Sequence, residues 1–412
     1  MRMIVASVLA ICASLAACAT SPASTPRSPV DDARVDGVEI PFEIVSNKPW
    51  VQVRVNGSAP QWFILDTGCA GGSVISRDCA KRLHLQLGDE TQVAGLGAGE
   101  GVELGVTSTR DVALDVGGIE LRPPQLGVFA LSHVEPYEGR SLDGLLGGDF
   151  MREHVVELDY ARRKIRIYDP ATFAYRGNAA PIPITFHSGL VVADAAMTPP
   201  GRAAIPCRVV IDTGVRTTVV WYHPFVLEKD LLASQARLVT STIGGGVSGE
   251  SKGDIGRLES LKIGSLAIPT PTAVFSRDTS GVFAGTEEDG LVGGEILRRC
   301  KVTFDYSHKT LYLEADPGAL ERFDSDMSGL FLVSTGPAFE RVLVQSVAAG
   351  TPAADAGIAK GDEILAIDEH RVAGRTLDEV RELFKNEGAT YRVDVKHGGD
   401  SRVVTMTLRR LV

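Results

Sequence analysis

The sequence predicts a mostly β protein built as two pseudo-symmetric lobes followed by a smaller third unit. Three observations carry that reading: a long-period internal repeat, short apolar stretches separated by turn residues, and a C-terminal segment with its own order of elements. The repeat is the strongest of them. Phe63-Ile64-Leu65-Asp66-Thr67-Gly68 is matched by Val209-Val210-Ile211-Asp212-Thr213-Gly214. Asp143-Gly144-Leu145-Leu146-Gly147-Gly148 is matched by Asp289-Gly290-Leu291-Val292-Gly293-Gly294, and Glu157-Leu158-Asp159-Tyr160 by Thr303-Phe304-Asp305-Tyr306. All three pairs share one offset of 146 residues. A period that long, present in two copies, describes two homologous lobes rather than a solenoid.

Each lobe reads as all-β. Val51-Gln52-Val53-Arg54-Val55 alternates apolar and polar residues, and Asn56-Gly57 then offers a hairpin turn. Residues 62–65 form an apolar run leading into Asp66, and residues 73–76 read as a further strand before a short helix over 77–85. Residues 162–168 close the first lobe as 310–314 close the second, with a Pro-containing stretch, 169–183, between them. The 44 glycines and 21 prolines among 412 residues fit many turns between short strands. The expected boundaries are 1–18 for a leader, 19–37 for a tether, 38–170 and 171–317 for the lobes, and 328–412 for the third unit.

Arg2 precedes an apolar run over residues 3–13 and then Leu15-Ala16-Ala17-Cys18, the pattern of a secretory signal and too short to span a bilayer. Leu-Ala-Ala-Cys resembles the lipobox of bacterial lipoproteins, which would make Cys18 the lipidated first residue. Simple cleavage at Ala17-Cys18-Ala19 is the alternative. Residues 19–37 are rich in Ser, Pro, Thr and Ala and read as a flexible tether. By that resemblance the protein is exported and sits on the periplasmic face of the envelope, anchored to the outer membrane through the lipid. Export would place Cys69, Cys79, Cys207 and Cys300 where disulfides form, with Cys69–Cys79 and Cys207–Cys300 as candidate pairs that spacing alone does not fix. The absence of Cys-x-x-Cys and His-x-x-x-His argues against zinc, and no metal or cofactor is expected. A net charge of −10 with no basic block argues against a nucleic-acid partner.

In the third unit, Val347-Ala348-Ala349-Gly350-Thr351-Pro352 leads to Gly361-Asp362-Glu363-Ile364-Leu365. A short amphipathic helix follows, with Leu377, Val380, Leu383 and Phe384 on one face and Thr376 with Glu379 as a capping box. Alternating strands at 391–395 and 403–408 finish the chain. The order resembles a bacterial PDZ domain. That resemblance implies capture of an extended peptide by strand addition, with Gly329-Leu330-Phe331-Leu332 as the loop and strand that receive it, although these residues depart from Gly-Leu-Gly-Phe.

Two Asp-Thr-Gly turns suit hydrolysis without a metal or a protein nucleophile. Two carboxyl groups about 3 Å apart share one proton, so one can deprotonate water while the other polarises the carbonyl. The segments resemble the active-site loops of retropepsin-like and pepsin-like aspartic peptidases over residues 38–317. The resemblance makes Asp66 and Asp212 the catalytic pair. Thr67 and Thr213 would bond across the lobe boundary, Gly68 and Gly214 would present backbone donors, and Leu146-Gly147 and Val292-Gly293 would pack beneath the loops. A monomer should suffice, since one chain holds both halves. Asp143 and Asp289 are expected to serve turns.

Two departures matter. Cys69 and Val215 stand where the family usually carries a hydroxyl, so the pair should lose a donor and work at mildly acidic to near-neutral pH. No Tyr occupies the expected flap. Glycine-rich stretches at 95–101, with Gly97 and Gly99, and at 244–249, with Gly244 and Gly245, are the candidate flaps instead. The function expected is an endopeptidase acting on envelope polypeptides with help from the PDZ unit. The competing reading is an inactive peptide-binding lipoprotein. No Gly-x-Ser-x-Gly or P-loop supports serine or nucleotide chemistry.

Overall fold

The computed structural model describes residues 37–94, 97–101 and 103–412. The leader, Cys18 and the tether up to residue 36 lie outside the described residues, as do Gly95 and Leu96 of the first glycine-rich stretch. The protein is mostly β, 44% strand and 12% helix.

Strand Lys48–Val55 buries Val51, Val53 and Val55 and exposes Gln52 and Arg54, the period-two pattern of a half-buried strand. Asn56 and Gly57 both take positive φ, 49° and 73°, as the tight turn requires. The chain returns as Gln61–Leu65, whose last three residues are buried, and stops at Asp66. Strand Val74–Ser76 leads into helix Arg77–Arg82, whose first turn is capped by the Ser76 hydroxyl. The helix is shorter than the stretch 77–85 because His84 turns left-handed, φ 55°. Strand Gly144–Leu146 then slots in parallel to Gln61–Leu65 and antiparallel to Val74–Ser76. The second lobe repeats this arrangement with Ile205–Ile211, Val219–Trp221 and Gly290–Val292.

The closing strands do not cap each lobe separately. Val38–Pro41, Lys164–Tyr168, Val155–Asp159, Cys300–Asp305, Thr310–Ala315 and Ile182–His187 follow one another in a shared sheet that carries both lobes. At its centre Glu157 pairs antiparallel with Thr303, its own repeat counterpart, so the pseudo-twofold axis passes between them. One hydrophobic cluster runs through both lobes and contains Phe63 and Leu146 from the first with Trp221 and Val292 from the second.

The candidate disulfides are not formed: Cys69, Cys79, Cys207 and Cys300 are all free thiols. Cys79 lies buried in the helix after Val74–Ser76, while Cys69 sits in the Asp-Thr-Gly turn and donates to the Gly72 carbonyl at 3.1 Å. Cys207 and Cys300 belong to different strands, Ile205–Ile211 and Cys300–Asp305.

The third unit has a separate core around Leu332, Val380, Phe384 and Val393. Its sheet runs in the order Leu330–Thr335, Arg341–Val347, Glu363–Ile367, Thr390–His397, Asp400–Thr407. Helix Leu377–Leu383 starts with the reciprocal Thr376–Glu379 capping box.

Candidate active site

Each Asp-Thr-Gly turn is hung from the strand inserted beside it. The Asp66 N–H donates to the Leu146 carbonyl and the Asp212 N–H to the Val292 carbonyl, both at 2.9 Å. Gly147 and Gly293 follow directly and turn the chain into helices Gly148–Glu153 and Gly294–Leu297. The lobes are then locked together by the threonines. Thr67 Oγ1 accepts from the Thr213 N–H at 3.0 Å and donates to the Ile211 carbonyl at 2.7 Å. Thr213 Oγ1 accepts from the Thr67 N–H at 3.0 Å and donates to the Leu65 carbonyl at 2.6 Å. Both threonines are fully buried.

This grip brings Asp66 and Asp212 together. A Cβ on Gly68 would lie 2.5 Å from Asp212 Oδ2, and one on Gly214 would collide with the Asp66 carboxyl, so each turn passes directly against the other lobe's carboxylate. Asp143 and Asp289 lie outside this pair. They accept from the backbone N–H of Trp62 at 2.8 Å and Arg208 at 2.7 Å, fixing the strands that lead to the turns.

The two carboxyls are not equivalent. Asp66 Oδ1 accepts from Gly68 N at 2.8 Å and Cys69 N at 3.2 Å, whereas Asp212 Oδ1 accepts from Gly214 N at 2.8 Å. Burial raises both carboxyls above the ordinary range. For Asp66 the rise is opposed by the Lys48 charge and the two N–H groups. For Asp212 burial and then repulsion from Asp66 carry it to about 7. Burial and mutual repulsion together disfavour the doubly ionised pair. The Cys69 thiol is pushed well above its usual range by burial and then by Asp66, Asp149 and Asp212, which disfavours the thiolate that redox chemistry would need.

The two glycine-rich stretches meet. Hairpin Val239–Gly246 and Gly249–Arg257 carries the second stretch, and Glu100–Gly101 of the first pairs with Gly249 and Glu250. The Ser248 N–H donates to the Ala98 carbonyl at 3.0 Å. The tips also exchange lobes. Ala98 packs on the cluster containing Val215, and Val247 on the cluster containing Cys69. Each tip therefore reaches the apolar group beside the other lobe's turn. Gly97 and Gly99 both have positive φ, and at Gly99, φ 97°, a Cβ would drive into the Gly249 backbone. Gly99→Ala is accordingly expected to separate the tips and lower kcat/KM about tenfold or more, because both strain and lost closure act on it. Steady-state kinetics on a cleaved peptide checks this; unchanged kinetics would remove the flaps from the account.

Gly244 and Gly245 lie in the first strand of that hairpin, Val239–Gly246, and the Tyr137 ring packs against Gly245. Tyr137 Oη also donates to Glu250 at 3.3 Å. The third unit rests on the same place. Phe331 lies 6.0 Å from the Tyr137 ring, Ser346 Oγ bonds Thr242 Oγ1 at 3.2 Å, and Gln345 Nε2 donates to Glu250. Arg381, nearly buried, donates to the carbonyls of Tyr137 and Leu332, each at 3.0 Å, and to Ser46 Oγ at 3.2 Å. The strand edge expected to receive a peptide, from Leu330 to Leu332 after the Gly329 turn, is thus covered by the lobes rather than left open. Tyr137, Arg381 and Ser46 carry no motif, and only their folded neighbours reveal them.

A family model described as an aspartyl protease matches residues 51–150, and one described as a PDZ domain matches residues 321–408. The first match contains Asp66, Leu146 and Gly147. The chain therefore carries an aspartyl protease domain and a PDZ domain. No curated protein matches it. Among solved structures, a photosystem II D1 C-terminal processing protease is similar at 27% identity and a TM-score of 0.21. That match covers 23% of this chain and 26% of the other, so it spans about a quarter of each.

Proposed function

We propose that the protein is an aspartic-type endopeptidase in which Asp66 and Asp212 activate one water molecule between them. The observation that carries this reading is the reciprocal Thr67–Thr213 grip, which seats one carboxyl from each lobe against the other across the pseudo-twofold axis. Asp66, with two backbone donors, is the ionised member and takes a proton from water. Asp212 keeps the shared proton and gives it to the carbonyl oxygen of the scissile bond. The tetrahedral intermediate then collapses as Asp66 passes the proton from water to its nitrogen and Asp212 takes back the proton from the new hydroxyl, so that the C–N bond breaks and the amine leaves. The crossed flaps exclude solvent and hold an extended chain. The substrate class is polypeptide, one chain supplies the whole site, and the PDZ domain tethers substrate or governs access. We further propose an exported protein, lipid-anchored through Cys18 on the periplasmic face of the outer membrane.

The pH dependence follows from the pair. Cleavage falls as pH rises through about 7, because Asp212 loses the shared proton. Stability has the same sign. A carboxyl with a raised native value binds its proton more tightly folded than unfolded, so stability declines from about pH 4 to about pH 7 and then levels. The slope is expected to flatten in Asp212→Asn, as thermal melting across that range would show. Mass spectrometry of a diverse peptide library, digested from about pH 3 to pH 8, tests the function itself. Internal cuts with an optimum below neutrality support it, and silence throughout contradicts it.

A further inference from the structure

The two lobes repeat each other down to the turns that flank their aspartates, and one residue breaks the match. Trp50 pairs with Ile64 as Val192 pairs with Val210, and Ile64 and Val210 are repeat counterparts just before Asp66 and Asp212. Lys48, at the same distance before Trp50 as Leu190 is before Val192, is therefore the counterpart of Leu190. Each opens its strand after a tight turn at positive φ, Ser46–Asn47 (52° and 62°) and Ser188–Gly189 (49° and 86°). Each turn also seats against the loop that follows the other lobe's aspartate. Asn47 Nδ2 donates to the Arg216 carbonyl at 2.9 Å, and Gly189 lies against the carbonyl of Ala70, the repeat counterpart of Arg216. Leu190 packs on the cluster that takes in Val215 of the Asp212 turn. Val45 and Trp50, on either side of Lys48, pack on the cluster that takes in Cys69 of the Asp66 turn. Both places are built apolar, and the first lobe alone sets a charge in one.

That charge is held inside the protein. Lys48 Nζ and Glu138 Oε1 form an ion pair of 2.6 Å with side chains 11% and 3% exposed, so solvent screens it little. At Asp66 burial raises the carboxyl, and the Lys48 ammonium is the first influence against it; at Asp212 it stands behind burial, the Asp66 charge and the Gly214 N–H. Glu138 is also faced by Arg381 of the PDZ domain. The other charges packed around the turn have their own partners. Asp378 accepts from the Ser46 N–H at 2.5 Å and from Arg381, Glu295 accepts from Asn47, Arg298 and Arg299, and Arg216 acts on Asp326 and Arg381. Around the aspartates stand Cys69, Tyr222 and Tyr306, all pushed up by burial and so neutral below pH 8. Farther out, Asp149 is held by Ser73, Arg152 by the Ala70 carbonyl and Glu288 by His187. We propose that Lys48 is a positioning residue, a role that rests on the peptidase reading of Asp66 and Asp212: held by Glu138 beside the Asp66 turn, its ammonium keeps the negative charge of the pair on Asp66 and the proton on Asp212. With Leu190 in the matching place, the pair gains a polarity that a twofold repeat by itself does not give.

Carboxyl-carbon NMR of the full chain, labelled at aspartate, follows the pair in the parent, in Lys48→Arg, and in a double variant carrying Lys48→Met and Glu138→Gln. The double variant leaves neither charge orphaned in the interior. Removing the ammonium is expected to raise the lower step by about half a pH unit or more and to move part of the remaining proton from Asp212 onto Asp66, whereas Lys48→Arg keeps the parent titration. On a cleaved peptide the acid limb of kcat/KM moves with that step, about threefold lower well below it. Steps within about 0.2 pH units of the parent in the double variant, or an equal rise in Lys48→Arg, overturn the proposal. If the double variant does not fold, Lys48→Gln, whose amide remains a donor for Glu138, is titrated in its place with the same expectation. The titration needs no turnover, so a parent that cuts no peptide sinks the peptidase reading alone, and unchanged steps in a parent that cuts sink this one alone.

Discussion

Replacing either Asp66 or Asp212 with Asn is expected to reduce kcat/KM at least about a thousandfold, because each carboxyl has a role the other cannot fill. Asn at 66 cannot take the proton from water, and Asn at 212 cannot return one to the carbonyl oxygen. The double replacement should be scarcely worse than either single one, as groups that act as one unit are not additive. The fold survives, since the amide is nearly isosteric and its oxygen still accepts from Gly68 or Gly214 N–H. Asp212→Asn should melt at a higher temperature than the parent near pH 7, where the parent holds two carboxyls that burial and mutual repulsion disfavour as a charged pair. Steady-state kinetics on any cleaved peptide, with melting curves beside them, decide the matter. Activity within tenfold of the parent in either variant would take that residue out of the chemistry.

Thr213→Val is expected to destabilise the protein by about 2–5 kcal/mol while preserving side-chain shape. The hydroxyl satisfies two buried backbone groups of the other lobe, the Thr67 N–H and the Leu65 carbonyl, and valine leaves both unpaired. Thr67→Val strips the Thr213 N–H and the Ile211 carbonyl in the same way. The two bonds sets interlock, so the double variant should lose less than the sum of the singles. Denaturant titration measures all three. A loss below about 0.5 kcal/mol in both singles would mean that the grip is incidental to holding the lobes.

The parts of this protein that are legible in sequence are those built from local rules. The shared offset exposes the duplication because Asp66 and Asp212 need the same strand, turn and inserted neighbour in each lobe. Thr376 and Glu379 announce a helix start because a capping box is made within four residues. What escapes is contact between distant segments. Nothing in residues 155–159 and 300–305 says that they pair with one another across the axis, and nothing near Tyr137 says that it supports residue 245. The cysteine pairs fail for the same reason, since spacing reports loop length and not where two strands run. Gly329-Leu330-Phe331-Leu332 reads as an open receptor edge, whereas Arg381 and the protease lobes close it.

The central claim is that Asp66 and Asp212 hold one proton between them, and titration of the pair tests it most directly. Carboxyl-carbon NMR of protein labelled at aspartate, assigned with the two Asn variants, follows both groups from about pH 3 to pH 8. The account predicts two separate steps, the upper near neutrality and absent from both variants, with the pair singly protonated between them. Two independent titrations near the ordinary aspartate value, about 3.9, each unaffected by replacing the other residue, would contradict it.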